Sequence, residues 1–387
     1  MISVEEALRL LREQVPNPSI ENISLEHAHL RVLAEDVFSD IDLPPFHRSM
    51  MDGYAVRSAD ASGYVVVEEI PAGKSPQKVL GPGECSKIMT GAPVPSGADA
   101  VQMVEKTRRI GDRVDFLEKV EAGQNVAVQG EDLQEGEKVL SSGEFISSVH
   151  VGMLATIGKS SLAVYRRPSV AILVTGNEIV EPGEACSGAT IRNANGPSLR
   201  AQCESLRLEP TYLGIARDEE ADLRDLIRKG LAHDVLIITG GVSAGDWDLV
   251  IPCLEQEGVT HQFHKVSIKP GKPLFFGTRG ATRIFGLPGN PVSSFVTFEV
   301  FLRPFLRWMM GGTLGDPRRP SLLKGAVSAK GNRDRYLPAW VEGAFVHPVP
   351  WNGSGDLFGL AKANCLLVVP VGKSYKEGEK VEILFFL

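Results

Sequence analysis

Three apolar runs in this chain end in polar turns suited to holding an anion: "VTGNEI" (174–179), "ITGGVSAGDWD" (238–248) and "GLPGNPVSS" (286–294). In the second, Gly240, Gly241 and Gly245 permit positive φ and close backbone approach. Successive N–H groups there can form an anion nest. In the third, Pro288 and Asn290 lead into Pro291, which suits the first turn of a helix. The free N–H groups of that turn, with Ser293 and Ser294, favour phosphate or another oxyanion. Between the second and third runs lies "HKVSIKPGKP", with Lys265, Lys269 and Lys272. Pro270 and Pro273 restrict the backbone that carries the last two lysines. Fixed lysines beside a nest point to an oxyanion ligand rather than a solvated face.

Asp246 and Asp248 conflict with that pocket. A carboxylate about 4 Å from a phosphate charge costs on the order of 4 kcal/mol at an effective dielectric near 20. A divalent cation between them removes the conflict, and Mg2+ is typically held by one or two carboxylates plus phosphate oxygens. Glu178 and Asp248 are the candidate metal ligands, with Asp218 a further carboxylate. Plainer readings stand beside this one. Asp246 could cap the helix that follows, and Glu178 could be a surface loop residue. Gly241 to Gly245 also fits the G-x-S-x-G nucleophile elbow, which makes Ser243 a candidate hydrolase nucleophile. Against that, two aspartates beside an oxyanion hole would destabilise the developing negative charge. His261 and His264 follow too closely, in an apparent strand, to serve as a late base, and His347 falls in another module. His27 and His29 could share a strand face, without an evident third ligand.

These loops need elements to hold them. Residues 168–310 alternate strand and helix: "SVAILVTG", "GPSLRAQCESLRL", "EPTYLGIA", "DEEADLRDLIRKGLA", "DVLIITG", "DWDLVIPCLEQEG", "TRIFGLPG" and a long helix from Asn290 to Met310. That pattern implies a doubly wound, mainly parallel sheet, whose ligands bind outside the carboxyl ends of its strands. Residues 44–140 and 314–387 instead read as short strands between Gly, Pro and Asn turns; the second stretch fits a small β-barrel or sandwich. Residues 141–167 read as a helix plus the basic linker "YRRP". The fold class is α/β multidomain, a doubly wound sheet domain flanked by β-rich modules. At the N-terminus, Val4, Ala7, Leu8 and Leu11 share one helical face, with Ser3 as N-cap.

Composition narrows the function classes. A net charge of −7 over 387 residues argues against a general nucleic-acid binder. The five cysteines, at 85, 186, 203, 253 and 365, form no Cys-x-x-Cys pair and suggest reduced thiols in a cytoplasmic protein. The longest apolar segment, 295–310, is broken by Glu299, Arg303 and Arg307, which argues against a membrane span. The N-terminus lacks the basic and apolar regions of a signal peptide.

Nine ordered segments resemble the molybdopterin molybdotransferase family, the molybdenum-insertion enzymes that include the C-terminal enzyme domain of gephyrin. They are "LPPFHRSMMDGYAV" (43–56), "IMTGAPVPSGADAV" (88–101), "GEDLQEGEKVL" (130–140), "ILVTGNEIVEPG" (172–183), "IRNANGPSL" (191–199), "ITGGVSAGDWDLV" (238–250), "IKPGKPLFFG" (268–277), "GLPGNPVSS" (286–294) and "GSGDLFGLAKANCLLVVP" (353–370). The resemblance implies that adenylylated molybdopterin and molybdate enter and molybdenum cofactor and AMP leave, with Mg2+ assisting. It implies four subdomains: 1–43 with 141–167, 44–140, 168–313 and 314–387. It implies that Glu178, Asp218 and Asp248 contact the nucleotide–pterin or its metal. Lys269, Lys272, Pro273 and Ser293 or Ser294 would lie near molybdate, and Arg335 or Arg333 and Ser354 would close that pocket. Asp52, Thr90 and Asp132 would reach the cleft from the second subunit of a homodimer. The implied partners are a second copy of the chain, the molybdopterin adenylyltransferase and molybdoenzyme apoproteins. The chain departs from many relatives at Ala127, Val128 and Gln129, where arginines are frequent, and at 331–336, and these departures motivate a non-catalytic ligand-binding or scaffold protein as the competing reading.

Overall fold

The computed structural model describes residues 1–60, 63–242, 249–312 and 318–386. The chain divides into two compact units. One comprises Met1–Asn22, Leu30–Ala34 and Ala163–Leu387; the other comprises Ile23–His29 and Glu35–Leu162.

The larger unit is built on a six-stranded sheet in the order Thr211–Ala216, Val170–Thr175, Val235–Thr239, Thr282–Leu287, Phe275–Arg279, Thr260–His264. The first four strands run parallel; the last two join antiparallel. Val170–Thr175, Val235–Thr239 and Thr282–Leu287 are buried at every position, as a strand covered on both faces must be. The chain order reverses between Val170–Thr175 and Val235–Thr239. Their carboxyl ends, Thr175 and Thr239, therefore flank the crevice where such sheets bind ligands.

The N-terminal helix Val4–Glu13 buries Val4, Ala7 and Leu11, and Ser3 Oγ accepts the Glu6 N–H at 3.0 Å, as the sequence pattern requires. The segment from Pro291 to Met309 is not one regular helix. A π-helical stretch, Phe298–Leu302, separates the helices Pro291–Thr297 and Arg303–Met309. It carries Glu299, only 1% exposed, into the core. There Gln202 Nε2 donates to Glu299 Oε1 at 2.6 Å, Arg303 Nη2 donates to the same oxygen at 2.9 Å, and Arg303 Nε donates to Oε2. Two of the three charges that interrupt this apolar segment, Glu299 and Arg303, thus form a buried ion pair. Removing one member of such a pair strands the other, so Glu299→Ala should destabilise the protein by about 3–5 kcal/mol. Urea unfolding measures this, and a loss below 1 kcal/mol would contradict the assignment.

The carboxyl-terminal strands Arg318–Leu323, Asp334–Glu342, Phe345–Pro348, Cys365–Val369 and Lys380–Phe385 close on themselves through the pairing of Asp334–Glu342 with Cys365–Val369. A barrel, not an open sandwich, results. Ile268–Lys269 adds to its edge in parallel with Asp334–Arg335.

The smaller unit holds a mixed six-stranded sheet in the order Ala100–Met103, Gly53–Val56, Glu84–Ile88, Tyr64–Ile70, Arg113–Phe116, Thr107–Ile110. Gly53 is required there: a Cβ would lie 1.8 Å from the Gln102 carbonyl oxygen. One expectation fails in this unit. Leu25–His27 form a turn of 3-10 helix, so His27 and His29 share no strand face.

Among the described residues, no helix is long and apolar enough to cross a membrane.

Candidate functional site

At the carboxyl edge of the large sheet, Gly240 and Gly241 have φ of 93° and 61°. Added Cβ atoms would meet the Thr175 carbonyl oxygen at 2.5 Å and Val250 Cγ2 at 2.6 Å. Only glycine allows the backbone to lie that close to the neighbouring strand end. The Thr175 hydroxyl beside them is buried and finds no partner among the described residues. Ser243, Gly245, Asp246 and Asp248 lie outside the described residues. The helix that follows begins at Val250 with Leu249 at its cap position.

The turn after Val170–Thr175 places Glu178 over Gly176, where a Cβ would come within 2.7 Å of Glu178 Oε2. Its neighbour Asn177 exchanges two bonds with Asp218: each backbone N–H donates to the other's side-chain oxygen at 3.1 Å. Glu178 and Asp218 thus sit in adjoining, mutually braced loops, both exposed. Hard carboxylate oxygens of this kind fit Mg2+, which takes one or two of them together with phosphate oxygens. Among the described residues, no group of three or more His, Cys, Asp or Glu could hold a metal by itself.

On the other side, Asn290 caps the helix Pro291–Thr297 by position, with Pro291 in its first turn. Ser354 is brought to it: Asn290 Nδ2 donates to Ser354 Oγ at 3.1 Å and the Val292 N–H donates to the Ser354 carbonyl at 3.0 Å. Ser293 and Ser294 are 4% and 2% exposed, and Ser294 Oγ has no partner among the described residues. The lysine loop packs on this helix. Gly271, with φ of 109°, leaves no room for a Cβ, which would meet Thr297 Cγ2 at 2.4 Å. Val266 N–H donates to the Lys272 carbonyl and Lys265 N–H to the Leu274 carbonyl, both at 3.0 Å, so Pro273 lies within a closed loop. Lys269 stands directly beside Arg335 in the parallel register. Arg335 Nη1 donates to the Ser328 carbonyl at 2.9 Å, whereas Arg333 Nη1 donates to the Ile268 carbonyl at 3.1 Å. No acidic side chain pairs with Lys265, Lys269, Lys272, Arg333 or Arg335 among the described residues. Adjacent cations without a counterion suit an oxyanion.

Sequence reasoning assigned no role to Asn195, which ties the crevice together. Its Nδ2 donates to Thr239 Oγ1 and to the Gly289 carbonyl, both at 2.8 Å, while Thr239 Oγ1 donates to the Pro288 carbonyl at 3.2 Å. One amide therefore joins the ends of two strands. An asparagine at the start of a helix that follows the Glu178 loop was the available signal.

In the smaller unit, the Thr90 N–H and hydroxyl both donate to Asp52 Oδ1 at 2.7 Å. These two bonds, the backbone one foremost, hold the exposed Asp52 carboxyl below its ordinary pKa. The Asp132 N–H donates to the Leu43 carbonyl at 2.9 Å, and its side chain is exposed.

Residues 2–158 match the family described as MoeA N-terminal region (domain I and II), 171–308 match a probable molybdopterin binding domain, and 322–386 match the MoeA C-terminal region (domain IV). The chain is 33% identical over 403 residues to a molybdopterin molybdenumtransferase of Staphylococcus aureus, covering 99% of this chain and 95% of the relative. This chain belongs to the MoeA family. A second relative of the same name, from Staphylococcus epidermidis, is 30% identical over 401 residues, with 99% and 95% covered. Among solved structures, a MoeA molybdopterin biosynthesis protein from Pyrococcus horikosii superposes with a TM-score of 0.87 at 32% identity, covering 100% of this chain and 99% of that one. A molybdenum cofactor biosynthesis protein from Pyrococcus furiosus, at 20% identity and TM-score 0.63, shares the fold. Gln129 donates its N–H to His47 Nδ1 at 3.0 Å and its Nε2 to Asp42 Oδ2 at 2.9 Å.

Proposed function

We infer that this chain is a molybdopterin molybdenumtransferase, inserting molybdenum in the making of molybdenum cofactor. The observation that carries this is family membership along nearly the whole chain, joined to strand-end loops that carry carboxylates and a neighbouring set of cations with no acidic partner among the described residues. The substrates are adenylylated molybdopterin and molybdate; the products are the cofactor and AMP. The Gly240 N–H is spent on the Leu287 carbonyl at 3.2 Å, contrary to the anion nest expected there, so Gly241 presents its backbone N–H to the anionic substrate while Gly240 serves the close turn. Lys269 and Arg335, supported by Lys265, Lys272 and Ser354, hold molybdate as a dianion beside the dithiolene. The loop from Pro288 to Ser294 shapes the wall between the two, and Pro273 fixes the lysine loop. Glu178 and Asp248, with Asp218 bracing the first, hold Mg2+. Bound there, Mg2+ supplies charge neutralisation at the phosphoryl oxygens.

The family resemblance further supports a cytoplasmic homodimer in which Asp52, Thr90 and Asp132 of one subunit serve the site of the other. The adenylyltransferase that makes the substrate and the apoproteins that receive the cofactor are the proposed partners. Neither the serine-hydrolase nor the scaffold reading gains support.

The test is turnover by the purified protein. AMP release should require both molybdate and Mg2+, the protein should sediment as a dimer, and Ser243 should resist fluorophosphonate labelling. Binding of the adenylate without AMP release under those conditions would overturn the assignment.

A further inference from the structure

We propose that Tyr212, Glu181 and Asn193 form a clamp that positions Glu178, and that all three are positioning residues for the metal end of the site. The proposal rests on the metal reading of Glu178 given above.

Residues 176–195 form an excursion between the strand Val170–Thr175 and the helix that starts at Asn195. Glu178 opens the excursion and Asn195 closes it. Its base is a short parallel ribbon, Ile179–Val180 against Ile191–Arg192. The Ile191 N–H donates to the Glu178 carbonyl and the Asn193 N–H to the Val180 carbonyl, both at 2.8 Å. Two rungs of ribbon do not hold a loop of this length by themselves.

The side chains supply the rest. Tyr212, on the neighbouring strand, donates its hydroxyl to Glu181 Oε1 at 2.6 Å. Asn193, only 3% exposed, donates Nδ2 to the Tyr212 oxygen at 2.8 Å and to Glu181 Oε2 at 3.4 Å. Its Oδ1 accepts the Gly196 N–H at 2.9 Å, which links the clamp to the helix start. A Cβ on Gly196 would lie 2.8 Å from Asn193 Nδ2, so this join is tight. Burial, followed by the bond to Glu181, holds the Tyr212 hydroxyl above its ordinary pKa, and it stays a donor. Among the described residues, nothing donates to the Glu178 carboxylate. Its direction is therefore set by its backbone, and that backbone is held through Ile191 and the clamp. Partners of this kind orient metal ligands they do not replace.

The experiment compares Tyr212→Phe, Glu181→Gln and Glu178→Ala. Tyr212→Phe keeps the ring and removes only the hydroxyl. Binding of Mn2+ in the presence of AMP, read by electron paramagnetic resonance of free Mn2+, should weaken about tenfold in Tyr212→Phe. The Ile191 and Asn193 amides should exchange faster with deuterium, the thermal midpoint should hold, and the molybdate KM should stay within twofold of wild type while kcat falls. Glu181→Gln keeps an oxygen that accepts from Tyr212 and should retain most of the Mn2+ affinity. In a Glu178→Ala background, Tyr212→Phe should weaken Mn2+ no further. If Glu178→Ala weakens Mn2+ binding and Tyr212→Phe does not, the clamp is refuted and the metal reading survives. If Glu178→Ala leaves Mn2+ binding unchanged, both fall.

Discussion

Glu178→Ala is expected to lower the rate of AMP release at saturating substrates by about two orders of magnitude, since several kcal/mol of charge stabilisation at phosphate depend on the ion and each 1.4 kcal/mol is tenfold. The carboxylate projects over Gly176 at the end of the strand Val170–Thr175, beside the crevice where chain order reverses. Excess Mg2+ should recover part of the rate, because Asp248 remains. Asp218→Asn should do less damage. Its main contact is with Asn177, and an amide keeps an oxygen for the Asn177 N–H. Thermal unfolding should hardly change in either variant, since both side chains are exposed. Steady-state assays across a Mg2+ series decide the matter. A Glu178→Ala enzyme with wild-type turnover would remove the metal from the site described.

Lys269→Ala and Arg335→Ala should each raise the molybdate KM by about ten- to a hundredfold, since a hydrogen bond to a charged group contributes about 1.5–3 kcal/mol. Turnover at saturating molybdate should fall much less, because both cations act on binding. The two residues are register neighbours, so their effects on molybdate binding should couple rather than add. Arg333→Ala separates the two arginines left open by the sequence. Arg333 spends its guanidinium on the Ile268 carbonyl, so its loss should slacken the lysine strand and raise KM by less than the loss of Arg335. Sodium chloride should weaken molybdate binding in the wild type more than in Lys269→Ala. An unchanged molybdate dependence in both single variants would place the anion elsewhere.

The central sheet was legible because its strands are unbroken apolar runs ending in glycine, and burial at every position of Val170–Thr175 follows from that. The edge strand Thr260–His264 is exposed at three of its five positions, so it lacks the pattern of the strands it joins, and its antiparallel pairing is a tertiary choice. The stretch from Asn290 to Met310 read as one long helix; that Glu299 and Arg303 turn inward within it depends on Gln202 from a different helix. At the site, the loops could be read one by one, since each is local chemistry. Their joins could not. Lys269 meets Arg335 only because the barrel edge accepts an extra strand, and Asn195 meets Thr239 and Gly289 only because the sheet order sets those ends side by side. His27 and His29 failed for a simpler reason: alternation of two residues does not distinguish a strand from a short helical turn.

The parallel rung between Ile268–Lys269 and Asp334–Arg335 also bears on how such a chain can be cut or recombined. The lysine lies between two strands of the large sheet in chain order, whereas the arginine belongs to the barrel that follows it. A fragment without the barrel would keep its glycine turns and carboxylates but lose the arginine that stands beside Lys269. The barrel is for that reason no detachable appendage, and a chimera that exchanged it would have to carry the arginine across with the seam.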